Sequence, residues 1–558
     1  MQIIFRKKEN ILIGVIILLG LILRLWGVGH NLPLLPDPDE QMNVNRSVGF
    51  GSGDLNPHNF RHPAAHQYML FVLFGFYFVF SYLTGTISSI HDFELHFISD
   101  PTYFYLIARC FIVLFGSATL YLIYLIGKDN YGRRVGLLSS FFLMATFLHA
   151  IYYIPKGEIP TTFFICLSFI YILTIYRENK LKDYILAGIF AGLALGTKYY
   201  SGLLILPLIA SHFFNKSIRK FDFLNKKIIY SILFMVLAFF LTNPFTILDF
   251  KTFVEHFIYQ IEDPSRDTGT LSGSGAGHFF YLKNIFNHGL GSVLGSISLL
   301  GFLFSVYRHE KCDLIILSFI IPFFLVLGLT NLPRNWYMIP LLPFLVLFGS
   351  RLLDEFLKFF LVKLNINHID IIFVMVALIL ILYPMYNLIN YNLEANEKDI
   401  RIIAKEWVEK NIPNNAKILL SGLNVSMIRA APLEDNIKGL EEKIRGNEKG
   451  VFGISKKGLN RYYRLKIESH RKGFIKGKSY DLTSTKGGKN IKPIEYYRLK
   501  HYDYFVLSDE IEVPYWNERR KEMFPNVVNF YNQLGDSTVL LKSFKGQGRL
   551  IKIFKLKY

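Results

Sequence analysis

Up to about residue 390 the chain reads as long apolar runs separated by short polar breaks; from 391 onward it breaks into short mixed segments. The long runs cover about 11–29, 103–127, 134–154, 159–176, 183–197, 199–214, 228–248, 291–307, 313–330, 336–352 and 370–390. Apolar stretches of about 17 to 25 residues have the length that crosses a bilayer as helix. About eleven membrane-spanning helices are therefore predicted. A further run, Tyr68 to Leu83, is long enough to be a twelfth, and whether it crosses sets the sidedness of every later loop.

The segment after 390 is patterned differently. Lys398 to Lys410 has apolar residues at 402, 403, 407 and 408, a helical spacing. Ala416–Leu420, Tyr504–Leu507, Thr538–Leu541 and Leu550–Phe554 are apolar runs of strand length. A small α/β domain over 391–558 is predicted behind a membrane domain over 1–390. Residues 436–500, rich in Lys, Arg and Gly, read as an insert or loop.

Charge placement orients the membrane domain. Short cytoplasmic loops collect Lys and Arg. If 68–83 does not cross, the loops on the N-terminal side of the membrane hold 19 basic residues. The opposite loops then hold eight: Arg46, Arg61, Lys156, Lys198, Lys251, Arg266, Lys283 and Arg334. A crossing would reverse that bias. The stretch is therefore read as a helix at the outer interface, in a first external loop of residues 30–102. The N-terminus is then cytoplasmic, the C-terminal domain external, and a plasma (inner) membrane location follows. Arg6, Lys7 and Lys8 precede an apolar run with no small-residue cleavage site after it, which is read as a retained first span.

Composition agrees once it is split by position. The 558 residues carry a net charge of +19, yet 51% are hydrophobic, 19% are charged and the mean hydropathy is +0.30. Residues 1–390 hold 29 basic and 23 acidic side chains, and 391–558 hold 33 and 20. Most of the excess charge thus sits in the polar tail, which suits either a solvated Lys-rich face or contact with an anionic acceptor or anionic headgroups; no nucleic-acid partner is expected. The apolar runs exclude a cytosolic enzyme, a secreted disulfide scaffold and a disordered chain. Three cysteines, Cys110, Cys166 and Cys312, are too few for a disulfide framework or a zinc cluster.

The candidate chemistry lies in the loops predicted outside. Pro36-Asp37-Pro38-Asp39-Glu40 follows the first span and puts three carboxylates within four positions. Such a group suits a general base or a weak divalent-cation site at Asp39 and Glu40, and the spacing equally allows a solvated acidic turn. Cations and aromatics share the same side: Arg61-His62-Pro63, Lys156 with Glu158, Thr197-Lys198-Tyr199-Tyr200, the group Arg334, Trp336 and Tyr337, and His278. Taken singly, each reads as a snorkelling or interfacial residue. Together, cations beside carboxylates suit a reaction whose donor carries an anionic phosphate. Arg24 and Arg109 lie near the ends of spans, where either could pair with an acid.

These motifs resemble those of the GT-C membrane glycosyltransferases, in the branch of the protein O-mannosyltransferases and aminoarabinose transferases. The resemblance rests on Asp39-Glu40 after the first span, Arg61-His62-Pro63 before the interfacial helix, and Gly132-Arg133-Arg134 before the third span. It also rests on Gly192 to Tyr199 (GLALGTKY), on Thr242-Asn243-Pro244-Phe245 and on Arg334 to Pro343. Together the motifs cover residues 1–390. Two positions depart from the family pattern: Glu158 stands where the family usually has Asp, and Pro63-Ala64 replaces a double proline. No Trp-Trp-Asp motif occurs, which counts against an oligosaccharyltransferase.

The resemblance implies a polytopic GT-C fold and an inverting hexosyl or pentosyl transfer from a polyprenyl-phosphate sugar to an acceptor hydroxyl outside the membrane. It implies Asp39 as general base, with Glu40 and Glu158 positioning the sugar or holding a divalent cation. Arg61, His62, Lys156, Lys198, Tyr199, Arg334 and Tyr337 become the residues expected around the donor phosphate. The acceptor could be a protein, a glycolipid or a polysaccharide. The competing classes are a transporter or lipid flippase, and a non-catalytic envelope protein. Transporters usually place polar residues near the bilayer midplane, whereas here they collect in the external loops.

Overall fold

The computed structural model describes residues 2–32, 34, 37–215, 225–262, 277–329, 333–363, 369–422, 429–446, 456–488, 491–516, 518–546 and 548–558. Pro36 of the acidic run, Arg266 and most of the basic loop 215–227 fall outside them. The chain separates into two compact units. The first comprises Met1–Val28, Asn43–Leu73 and Leu106–Glu394; the second comprises Gly29–Met42, Phe74–Tyr105 and Ala395–Tyr558. The second unit thus takes in two pieces of the first long loop as well as the tail.

The first unit is a helical bundle, and helices occupy all eleven predicted spans. Several spans are broken rather than continuous. The run 134–154 is divided between helices Arg133–Ala145 and Phe147–Ile151, and 199–214 opens with a 3-10 turn, Tyr199–Leu204, before Ile205–Phe214. Among the described residues seven helical stretches are long and apolar enough to cross a membrane, Ala65–Leu83 among them. This is a multi-pass membrane protein.

Small residues set the spacing of the helices. Gly188, Gly192 and Gly196 recur every four residues on helix Leu181–Thr197 and meet helix Lys226–Thr242. A Cβ at Gly188 would lie 2.1 Å from Ser231 O, and one at Gly192 would lie 2.3 Å from Met235 O. The two backbones therefore touch, as expected of glycine-rich stripes in lipid, where close packing takes over from the hydrophobic effect. Gly301 packs in the same way on Phe348 O, 2.3 Å from its would-be Cβ. Some polar groups inside the bundle are satisfied locally: Thr161 and Ser139 hydroxyls donate to the carbonyls four residues back, at 2.7 and 2.6 Å. At the ends expected to face the cytoplasm, buried Glu9 pairs with Lys128 (3.1 Å) and Arg133 (3.4 Å), and fully buried Asp313 pairs with Arg351 and accepts from Tyr131 (2.6 Å).

The second unit holds a five-stranded sheet in the order β2-β1-β3-β5-β4. The strands are β1 Lys417–Leu420, β2 Asp481–Ser484, β3 Tyr504–Ser508, β4 Thr538–Gly546 and β5 Arg549–Leu556. β1 runs parallel to β2 and β3, and β5 runs antiparallel to β3 and β4. One face is covered by helix Ile400–Asn411, which buries Ile400, Ala404 and Val408 against Ile418, Leu420, Ile551 and Ile553. The other face packs Leu419, Phe505 and Phe554 against Tyr497, Phe530 and Leu534. Four strands and one helix match the sequence reading. The fifth strand corrects it: 436–500 contains β2 and helices Ile437–Arg445 and Lys456–Arg471. Leu459, Tyr463 and Ile467 recur every fourth residue and pack with Leu440, a helical period masked in the sequence by the surrounding lysines and arginines.

Candidate functional site

The loops between the helices of the first unit bring several predicted residues together. Helix Glu158–Glu178 starts immediately after Gly157, which has φ +96°. A side chain there would be strained, and its Cβ would stand 3.4 Å from Lys198 Cε and 3.5 Å from His66 Nδ1. Gly157 is therefore the hinge around which Glu158, Lys198 and His66 gather. Glu158 occupies the first turn of its helix, where the helix dipole favours a carboxylate. Lys198 leaves the end of helix Leu181–Thr197 in extended conformation (φ −151°), which swings its side chain back toward Glu158.

Lys198 Nζ lies 2.7 Å from Glu158 Oε1, and the two side chains are 7% and 1% exposed. Glu158 Oε2 has no hydrogen-bond partner among the described residues. Thr197 and Thr161, one from each helix, share a hydroxyl–hydroxyl hydrogen bond of 2.7 Å directly behind the pair. The resemblance assigned Lys198 to a donor phosphate; in this structure its first partner is the neighbouring carboxylate.

The loop carrying Arg61 and His62 is tied to the same place. Asn243 Oδ1 accepts from Ala64 N at 2.6 Å, while its Nδ2 donates to Gly196 O at 3.3 Å. Three motifs far apart in sequence, 61–63, 192–199 and 242–245, are thus joined by one asparagine. Tyr199, expected at the phosphate, donates its hydroxyl to Phe60 O at 2.8 Å. Arg61 lies over the Tyr259 ring at 4.2 Å. His66 is 1% exposed, and both its ring nitrogens lack a hydrogen-bond partner among the described residues. Arg46 has no carboxylate partner among the described residues, and burial alone pulls its guanidinium down to about 10. His62 is held well below its ordinary value, first by burial and then by the positive charge of Lys198, His66, Arg46 and Arg61. With both histidines neutral, the cations here are Arg46, Arg61 and Lys198, of which Lys198 is paired with Glu158.

A second group surrounds Trp336. Lys156 Nζ sits 4.0 Å above its ring and Arg334 5.8 Å from it, while Tyr152 stacks on it at 6.0 Å. Tyr337 N donates to Arg334 O at 3.1 Å, closing a 3-10 turn. Of the two span-end arginines, Arg24 bonds the His149 ring (2.8 Å) and Arg109 donates to Val28 O (2.9 Å).

Asp39 and Glu40 belong to the second unit, in the first turn of helix Pro38–Gly49. The three carboxylates of the run are not equivalent. Asp37 Oδ1 accepts from Asp39 N (2.9 Å) and Glu40 N (3.2 Å), an N-cap ahead of a proline at the first helical position. One Asp37 oxygen thus caps the helix, Glu40 is fully buried, and Asp39 remains partly exposed. One turn further on, Asn43 donates to Pro155 O (2.9 Å) and accepts from Gln67 Nε2 (2.8 Å). Among the described residues no three His, Cys, Asp or Glu side chains are grouped to hold a metal ion.

Sequence reasoning passed over His66, gave Asn243 no role beyond its motif and gave Arg46 none beyond orientation. The Asn243 motif was visible, but only the fold shows what it joins. His66 follows His62 by four residues, a spacing that carries meaning only once a helix is known to begin at Ala65.

Comparison with known proteins places this architecture. The chain superimposes on the structure of ArnT from Cupriavidus metallidurans bound to undecaprenyl phosphate, with a TM-score of 0.51, 12% identity and 97% of each chain covered. The fold is that of the GT-C glycosyltransferases. Residues 106–245 match the family model of dolichyl-phosphate-mannose-protein mannosyltransferases, a stretch that includes Glu158, Lys198 and Asn243. The oligosaccharyltransferase AglB from Archaeoglobus fulgidus, solved with an inhibitory peptide and a dolichol-phosphate, gives a TM-score of 0.49 at 12% identity, covering 92% of this chain and 71% of that one. No functionally curated protein matches the chain by sequence.

Proposed function

We propose that the chain is an inverting membrane glycosyltransferase that moves a hexosyl or pentosyl group from a polyprenyl-phosphate donor to an acceptor hydroxyl on the external face. The observation that carries the reading is the half-buried Arg46, which has no carboxylate partner among the described residues, beside the buried Lys198–Glu158 pair and two histidines held neutral, His62 and His66. A half-buried cation such as Arg46 is partly stripped of water, a cost that a bound anion would offset. The GT-C fold, and the undecaprenyl phosphate bound by ArnT, support a lipid phosphate as that anion.

In the proposed reaction an acceptor oxygen attacks the anomeric carbon as the bond to the phosphate oxygen breaks. The acceptor proton passes to the Asp39 carboxylate, and the bonding electrons leave with the lipid phosphate. Arg46, Arg61 and Lys198 offset the charge growing on the leaving oxygen. Arg334 and Lys156 assist from the Trp336 group. Glu158 Oε2 accepts a hydrogen bond from a sugar hydroxyl, and Glu40 holds the Asp39 turn. The phosphate leaves as a stable anion, so no strong acid is required. A divalent cation at Asp39 and Glu40 is not needed for any of these steps. The protein is read with its N-terminus cytoplasmic and residues 391–558 outside, in the plasma membrane.

The test is transfer from polyprenyl-phosphate sugars in membranes holding equal amounts of wild type and Asp39→Asn. Losing the base should cost about 10² to 10⁴ in rate. Activity within about threefold of wild type would remove Asp39 from the chemistry.

A further inference from the structure

Four polar atoms beside the chain turn at 155–158 have no hydrogen-bond partner among the described residues: Nδ1 and Nε2 of His66, Oε1 of Gln67 and Oε2 of Glu158. All three residues are 1% exposed. Buried polar groups are as a rule hydrogen-bonded, so four orphans on one turn mark a place that something other than the chain completes. His66 and Gln67 lie in the first turn of helix Ala65–Leu83. The Gly157 position leaves the His66 ring uncovered, since a Cβ there would stand 3.5 Å from its Nδ1. The orientation of Gln67 follows from its neighbours. The Pro155 carbonyl can only accept, so Asn43 turns Nδ2 to it (2.9 Å) and Oδ1 to Gln67 Nε2 (2.8 Å). The orphaned Gln67 atom is therefore an oxygen, an acceptor. Glu158 Oε2 accepts as well, the carboxylate being paired with Lys198 through Oε1 (2.7 Å). Burial, with Lys198 and Arg46 nearby, keeps the His66 ring neutral, with one donor and one acceptor. The four atoms thus amount to three acceptors and one donor.

We propose that His66 and Gln67 hold hydroxyl groups of the transferred sugar and select a neutral, hydroxyl-rich sugar over an acidic one. This rests on the reading of the cluster as a glycosyl-phosphate site. In such a donor the sugar is joined to the phosphate by a single oxygen, so uncharged polar groups next to the phosphate-binding cations meet the sugar. His66 is such a group, close enough to Lys198 and Arg46 for both to act on its ring. A hydroxyl both donates and accepts, so a few of them satisfy three acceptors and one donor together. A carboxylate only accepts. In place of a hydroxyl it would leave the Gln67 and Glu158 oxygens unpaired and set two anions side by side, and a site built to bond hydroxyls rejects an analogue that leaves its buried groups unpaired. Neither His66 nor Gln67 moves the acceptor proton or meets the leaving oxygen. Losing one changes recognition of the sugar and spares recognition of the phosphate.

Equilibrium binding to the full chain in nanodiscs tests this. The probes are bare undecaprenyl phosphate and undecaprenyl phosphate carrying glucose, mannose or galactose, each beside the uronic acid that has a carboxylate in place of the C6 hydroxymethyl group. The best-bound neutral lipid should bind wild type about tenfold or more tightly than its uronic partner. His66→Leu should weaken that neutral lipid by about tenfold while binding bare undecaprenyl phosphate within about twofold of wild type, a difference that a packing defect alone does not produce. Gln67→Leu should act in the same direction, and His66→Asn, which keeps a donor and an acceptor, should restore much of the His66→Leu loss. If His66→Leu does not fold, the wild-type comparison and His66→Asn still decide. Equal weakening of the neutral and bare lipids, no weakening at all, or equal binding of neutral and uronic lipids by wild type would overturn the inference and leave the lipid-phosphate reading in place. Failure of every lipid to bind would overturn both.

Discussion

Lys198→Met offers a sharp test of the site's electrostatics. At 2.7 Å the Lys198–Glu158 pair has a Coulomb attraction of about 6 kcal/mol at an effective dielectric of about 20. Much of that repays the desolvation of two side chains that are 7% and 1% exposed. Removing the lysine alone leaves Glu158 buried with neither oxygen paired, so a loss of about 3–5 kcal/mol is expected. Removing both charges together, in Glu158→Leu with Lys198→Met, leaves no orphaned ion and should recover most of that loss. The cycle is read by reversible unfolding in bicelles, with transfer activity measured in parallel. Activity should be lost in both the single and the double variant, because Glu158 and Lys198 are both proposed to touch the donor. A Lys198→Met loss under about 1 kcal/mol, or a double variant as unstable as the two single losses added, would refute the buried-pair account.

Other consequences follow from single features. Folding holds His62 neutral, well below the ordinary 6.5 of the unfolded chain. The unfolded state therefore binds the extra proton, and stability present above about pH 6.5 is lost as pH falls below it, by up to about 1.4 kcal/mol per unit. His62→Gln should flatten that limb of a stability–pH curve. Arg46→Gln removes a cation that lacks a carboxylate partner, so it should leave folding nearly unchanged yet weaken undecaprenyl-phosphate binding by about tenfold or more. Equal binding would separate Arg46 from the anion. Gly188→Ala forces a Cβ onto Ser231 O and should cost about 2–3 kcal/mol, whereas Gly14→Ala, with open space around it, should be neutral. Thermal denaturation in detergent compares the two.

The sequence alone determined the membrane character, the positions of the apolar helices and most of the sheet, because these follow from local period and run length. Eleven apolar runs remain helical since lipid leaves the backbone no other partner. Asp37 as an N-cap was also within reach, from a carboxylate before a proline that opens a helix. What the sequence could not separate was role within a charged group. Lys198 and Arg46 read alike as external cations, yet one is neutralised by Glu158 and the other is not. Tyr199 reads as a ligand residue, and only the fold shows that its hydroxyl donates to the Phe60 carbonyl. β2 was hidden because a four-residue edge strand inside a lysine-rich stretch has too few apolar positions to show a period. Only tertiary structure decided these points, because a charge acquires its meaning from the partner packed against it, and such partners come from distant parts of the chain: residues 64, 158, 196 and 243 converge here through close helix contacts that glycines permit.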